Sequence, residues 1–128
     1  MIMYYCLAIA MLLPIVLALG SIPFRVKQFS APNLNEPRAQ AENLSGAGGR
    51  IVAAQKNAWE ALLLFTVSLF IANANNIQGE EIAIACMLFI FARICHAFTY
   101  VMGWGVPRFL AFMGAVSCVI WIVSFSIF

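Results

Sequence analysis

Arg50, Lys56, Asn57 and Glu60 fall within one apolar stretch of this chain, and Arg93, His96 and Tyr100 within another. An ionised side chain at mid-bilayer costs roughly 2.5–3.5 kcal/mol on insertion scales, so such residues face an interior or a cavity, find partners there and mark a site. At about 100° per residue, Arg50, Ala53, Lys56, Asn57 and Glu60 occupy roughly one third of a helix circumference, whereas Gln55 points elsewhere. Arg93, His96 and Tyr100 recur at spacings of three and four and share one helix face. If the two helices are antiparallel neighbours, Glu60, ten residues in from Arg50, and Arg93, nine residues in from Met102, both lie about 15 Å from the same edge. The expectation is a Glu60–Arg93 ion pair, with His96 near the level of Asn57 and Tyr100 near Ala53 and Arg50.

Two roles are open to these residues. Paired charges in spans commonly lock helix register, and Glu60 with Arg93 fits that role. Lys56 could likewise pair with Glu60 within its own helix, and His96 could simply donate to a carbonyl. Arg50, Asn57, His96, Tyr100 and Arg108, by contrast, sum to a positive charge converging on one mouth, which fits an anionic ligand.

The elements that hold them are membrane spans. The chain has 128 residues, of which 64% are hydrophobic and 9% charged, against roughly 25% charged in a soluble domain. A span needs about 20 mostly apolar residues. Four qualify, over about 1–24, 51–73, 82–102 and 107–128, and they leave nothing for a soluble domain. The fold class expected is an all-α four-helix membrane bundle, a single integral membrane domain over residues 1–128. Met1–Leu19 lacks the basic start of a cleaved signal peptide. Cys6, Cys86, Cys95 and Cys118 all fall in spans without metal-ligand spacing and read as small apolar packers, not a disulfide framework.

Residues 25–49 form the one long connection, rich in Asn, Pro, Gly, Ala and Ser. It suits a cover over the mouth or a mobile linker equally. Pro14 is expected to kink the first helix, and Gly20, Pro23, Arg25 and Lys27 to close it. Glu80 and Glu81 open the third span, where acids suit the positive end of the helix dipole. Pro107 suits the first turn of the fourth. Arg25, Lys27, Arg38 and Arg50 lie in or beside the first loop and Arg108 in the third, with no Lys or Arg in the second loop or at the termini. The positive-inside rule therefore puts the first and third loops in the cytoplasm and both termini outside.

The run Arg50-Ile-Val-Ala-Ala-Gln-Lys-Asn57-Ala-Trp-Glu60, together with Phe91-Ala-Arg93-Ile-Cys-His96-Ala-Phe-Thr-Tyr100 and the following Pro107-Arg108, resembles a known family. These motifs are similar to those of the membrane-associated proteins in eicosanoid and glutathione metabolism, which include microsomal glutathione transferases and microsomal prostaglandin E synthase. The resemblance covers essentially the whole chain and implies a homotrimer in a lipid bilayer, with glutathione as co-substrate bound between neighbouring subunits. It implies that Asn57 and Glu60 hold the peptide part of glutathione, that Gln55 makes a further polar contact, and that His96 and Tyr100, with Arg93 on the same face, line the pocket. Arg108 stands in the region where the family places the arginine that stabilises the thiolate, and Arg25 where members have a basic residue. Arg50 adds a cation to the same mouth. Ala53 departs from the pattern, since the best-known members carry a carboxylate-binding arginine there. Loss of one charge-assisted contact costs about 1.5–3 kcal/mol; Lys56 or Arg50 are the candidates to compensate.

The resemblance therefore implies glutathione addition to, or glutathione-dependent reduction of, a lipophilic small molecule recruited from the bilayer. A free thiol has a pKa of about 8.5, and a cation in a poorly hydrated setting lowers it. The alternative within the family is a non-catalytic lipid-binding or scaffold protein, which Ala53 favours. A small multidrug transporter, also of four spans, would carry its essential acid in the first helix, and Met1–Phe24 has none. The chain offers no glycine-rich phosphate loop, no zinc-ligand spacing, and nothing that points to nucleic acid.

Overall fold

The structure, a computed structural model, describes residues 1–127, and among these every regular element is helical. The order is α1 (Ile2–Gly20), α2 (Ile22–Phe29), α3 (Pro37–Glu42), α4 (Gly46–Ala74), α5 (Glu80–Met102) and α6 (Gly105–Ile127). Four helices are long and apolar enough to span a bilayer: Ile2–Phe29 (α1 with α2), α4, α5 and α6. At about 1.5 Å per residue, even the 23-residue helices exceed a hydrocarbon core of about 30 Å. The protein is an integral, multi-pass membrane protein.

The first helical span does not stop at Gly20 or Pro23. Ser21 interrupts it only slightly, because its backbone N–H still reaches Leu17 and Ala18 carbonyls and its hydroxyl donates to Ala18 O at 2.7 Å. Pro23 lies in the first turn of α2, where a missing N–H costs nothing. Helix α4 begins at Gly46, earlier than the apolar pattern indicated, so Arg50 sits in its second turn and farther from its start than composition implied. The connection over 25–49 is accordingly largely helical. Pro14 is buried inside an α1 that continues past it.

Helix α5 is the most enclosed span, 44% buried along its most apolar stretch against 22–28% for the others. Its start is Gly79 followed by Glu80 and Glu81. Its end is a left-handed Gly103 (φ 78°), where Gly103 N–H reaches Tyr100 O and Trp104 N–H reaches Thr99 O. That pair of bonds is a Schellman cap, which favours glycine at this position. The cap matters to the site because Arg50 packs against Gly103 and its Nε donates to Val101 O at 2.9 Å, fastening the start of α4 to the end of α5.

Two apolar clusters fill the bundle. One, towards the Tyr4 and Asn73 end, centres on Phe65 and Phe89, whose rings stack 4.1 Å apart, with Cys6, Cys86, Cys118 and Ile122 around them. The other, at the basic end, joins Leu17, Ala54, Ala58 and Ala97 to Ala41 and Leu44 of the connection. Small residues at Ala54 and Ala58 let helices approach closely, the usual basis of packing in lipid, where the apolar driving force between helices is missing.

Gly49 fixes how the connection meets α4. A Cβ there would lie 2.7 Å from the Leu44 carbonyl oxygen. We expect Gly49→Ala to destabilise the protein by about 1–3 kcal/mol, the usual cost of overpacking. A thermal-unfolding midpoint in detergent equal to that of the native protein would refute this.

Candidate functional site

Among the described residues, α5 carries three of the six buried polar side chains, Arg93, His96 and Thr99. Arg93 is 2% and His96 3% exposed, one turn apart on the face turned towards the other helices. Arg93 Nη2 donates to Asn57 Oδ1 on α4 at 2.8 Å, and Asn57 Nδ2 approaches Glu60 Oε2 at 3.5 Å. The expected Glu60–Arg93 ion pair is thus replaced by a bridge through Asn57. The cause is geometric: Arg93 is enclosed by the bundle, whereas Glu60 points outward and is exposed, leaving Asn57 between them. Arg93 Nε and His96 Nδ1 remain buried without a hydrogen-bond partner, a costly state for polar groups in an apolar interior.

Arg93, without His96, reaches the polar end of a cleft of about 160 Å³ between α4, α5 and α6. Asn57, Glu60 and Arg93 form its polar side, and Leu64, Phe89, Phe112 and Val119 are among its apolar walls. Phe112 links the cleft to a second group. Its ring lies 6.2 Å from that of His96, which in turn meets the Tyr100 ring edge-on at 5.4 Å. One turn before Phe112, the Arg108 guanidinium lies 4.5 Å from the Tyr100 ring centroid. A cation over an aromatic face at this distance is held by about 0.5–2 kcal/mol. Among the described residues the one ion pair is Lys56–Glu42, so Arg50, Arg93 and Arg108 have no carboxylate in direct contact.

The remaining candidates are dispersed. Arg25 donates to Ser21 Oγ at 3.2 Å and to Pro37 O at 2.8 Å, which ties α2 to the start of α3 rather than reaching the cleft. Arg50 is engaged with Val101. Gln55 is half-buried and does not line the cleft. Ala53 and Lys56 border a separate hollow beneath α3. Sequence reasoning missed Phe112, although its helical spacing from Arg108 was available, and Glu42, whose proximity to Lys56 had no signal in a segment without helical pattern. Among the described residues no three His, Cys, Asp or Glu side chains gather as a metal set.

Asn57 and Glu60 of α4 thus meet Arg93 of α5 across one cleft, and a family model for MAPEG matches residues 2–128. The chain belongs to the MAPEG family. No curated protein matches it. As a MAPEG protein it stands among membrane proteins of glutathione and eicosanoid metabolism, and its four apolar helices are consistent with that family's bundle. Membership also sets aside the small multidrug transporter, and the acid-free α1 of this MAPEG chain agrees.

Proposed function

We propose that the protein is a membrane-bound glutathione transferase or glutathione-dependent peroxidase acting on a lipophilic electrophile. The observation that carries this reading is Arg93, with no carboxylate in direct contact, beside Asn57 and Glu60 at the polar side of a cleft with apolar walls. Arg108 is joined to that cleft through Tyr100, His96 and Phe112. The groups present fit the tripeptide. Asn57 offers donor and acceptor, Glu60 suits an ammonium, and the unpartnered N–H of Arg93 suits an anionic or carbonyl oxygen.

Glutathione supplies the thiol nucleophile. Arg108 stabilises the thiolate over the thiol by its charge, in a setting where little water competes. Tyr100 holds the guanidinium in place from below, and His96 with Phe112 shuts the site from the α5–α6 side. The walls at Leu64 and Val119 receive the apolar substrate laterally from lipid. The same reading includes a homotrimer, which would cover the exposed face of α4, with the basic loops cytoplasmic and the termini outside.

A second reading, a lipid-binding member without turnover, draws on Ala53, which removes one anion-binding side chain from the α4 face. Isothermal calorimetry of the detergent-solubilised protein with glutathione separates the two. Saturable binding in the millimolar range is the expected result, and no heat of binding would leave the lipid-binding reading in its place.

A further inference from the structure

A proline inside a membrane-spanning helix frees a carbonyl of its usual donor. Pro14 has no N–H to give to the Ala10 carbonyl one turn earlier in α1, and its ring pushes against that carbonyl. In lipid such a group is satisfied by a neighbouring helix, a hydroxyl or water. Ala10 and Pro14 are both buried, so bulk water does not reach them. Ala10 lines a groove of about 180 Å³ between α1 and α5, in which Arg93 is the one polar side chain. Ile9, Leu12, Val16 and Ile94 line it as well and are exposed, so the groove opens to the outside of the bundle.

Arg93 is the one residue that this groove shares with the cleft between α4, α5 and α6. Its Nη2 donates to Asn57 on the cleft side, whereas its buried Nε has no partner and so does not itself reach the Ala10 carbonyl. A donor on Arg93 and an acceptor on Ala10 therefore stand unmatched along an otherwise apolar groove. Their depth is set by α5. Arg93 lies eleven residues beyond Ile82 in the first turn of that helix, or about 16 Å along it at about 1.5 Å per residue. That is mid-depth in a hydrocarbon core about 30 Å thick.

From this arrangement we propose that the α1–α5 groove binds an acyl chain that carries a hydroxyl part-way along its length. The hydroxyl accepts from Arg93 Nε and donates to the Ala10 carbonyl, and a hydroxyl is a small group able to do both. A carboxylate would set negative charge against the carbonyl oxygen, and a plain chain would leave both groups unmatched. Lipid headgroups stay at the surface, so the polar group that meets this pair is on the chain. A cavity of about 150 Å³ accepts a benzene-sized group, so the groove suits one stretch of chain. The site stands apart from the glutathione reading: the chain is held and not converted. An arginine has five N–H groups, so assigning Nε to the groove leaves others for the cleft.

The test is equilibrium binding of two radiolabelled probes, methyl stearate and its analogue hydroxylated at mid-chain, to the full-length protein in detergent. The hydroxylated ester should bind roughly five- to tenfold tighter, the effect of two modest hydrogen bonds. Pro14→Ala supplies an N–H that pairs with the Ala10 carbonyl inside the helix, so there the preference should shrink to less than about twofold. Plain-ester binding should persist in that variant. Each probe partitions into micelles equally for both proteins, so the change in the ratio reports the site alone. Val16→Trp, at the exposed rim, should weaken both probes and leave the ratio unchanged. Equal affinities for the two esters in the native protein would overturn the proposal, as would a preference that survives in folded Pro14→Ala. Tighter binding of free stearate than of the hydroxylated ester would also overturn it, by making the groove an anion site of Arg93.

Discussion

Replacing Arg108 with alanine is expected to reduce glutathione-dependent turnover by about 10²–10³-fold, the usual effect of deleting one pre-placed group that stabilises developing or resident negative charge. The side chain is half-buried in the first turns of α6 and stacked on Tyr100, with no carboxylate in contact, so its charge is free to act on a ligand. The fold should survive, because the substitution removes a single cation–π pair near the surface of the bundle. Arg108→Lys should recover only part of the rate, since an ammonium keeps the charge but not the planar stack over Tyr100. The check is initial rates with a lipophilic aryl halide, together with the ultraviolet absorbance of bound thiolate. Native turnover in Arg108→Ala would move the thiolate-stabilising role to Arg93 or Arg50. Loss of rate with an unchanged thiolate signal would assign Arg108 to substrate placement instead.

Asn57→Ala is expected to be the most damaging single change on α4, because Asn57 has two tasks. It accepts from buried Arg93 and connects that cation to Glu60. Its loss leaves a further Arg93 N–H unpaired in an interior where Nε already lacks a partner. The expected cost is about 1.5–3 kcal/mol in stability, as for a hydrogen bond to a charged group, together with loss of measurable glutathione binding. A double-mutant cycle separates the effects. Combining Asn57→Ala with Arg93→Met removes the stranded charge, so the pair should be less destabilised than the sum of the single variants. Binding should stay lost in the double variant. If stability and binding recover together, the network serves the fold alone; if the cycle is additive, the 2.8 Å Arg93–Asn57 bond carries no coupling.

These two outcomes also measure how much of the site was legible before any fold was known. The membership of Asn57, Glu60, Arg93, His96 and Tyr100 in two helical faces follows from 3.6-residue periodicity, and their depths follow from rise per residue. Periodicity says nothing of side-chain reach. The exchange of a Glu60–Arg93 pair for a bridge through Asn57 depends on Arg93 being enclosed while Glu60 points outward. Arg25 failed to join the cleft for a related reason: α1 and α2 run on past Pro23, so the side chain meets Pro37 O of the connection.

What the sequence determined by itself was the class of molecule and the faces of its helices. Four long apolar runs require backbone groups to be satisfied within each segment, and in lipid only helices or closed barrels achieve that. Polar residues at helical spacing then mark one face on each of the second and third spans. Tertiary structure decided which of those residues meet. It placed Phe112 between the cleft and His96, set Arg108 over Tyr100, and brought Glu42 of a segment without pattern to Lys56. Those contacts depend on the angle and offset between packed elements, which local periodicity does not encode.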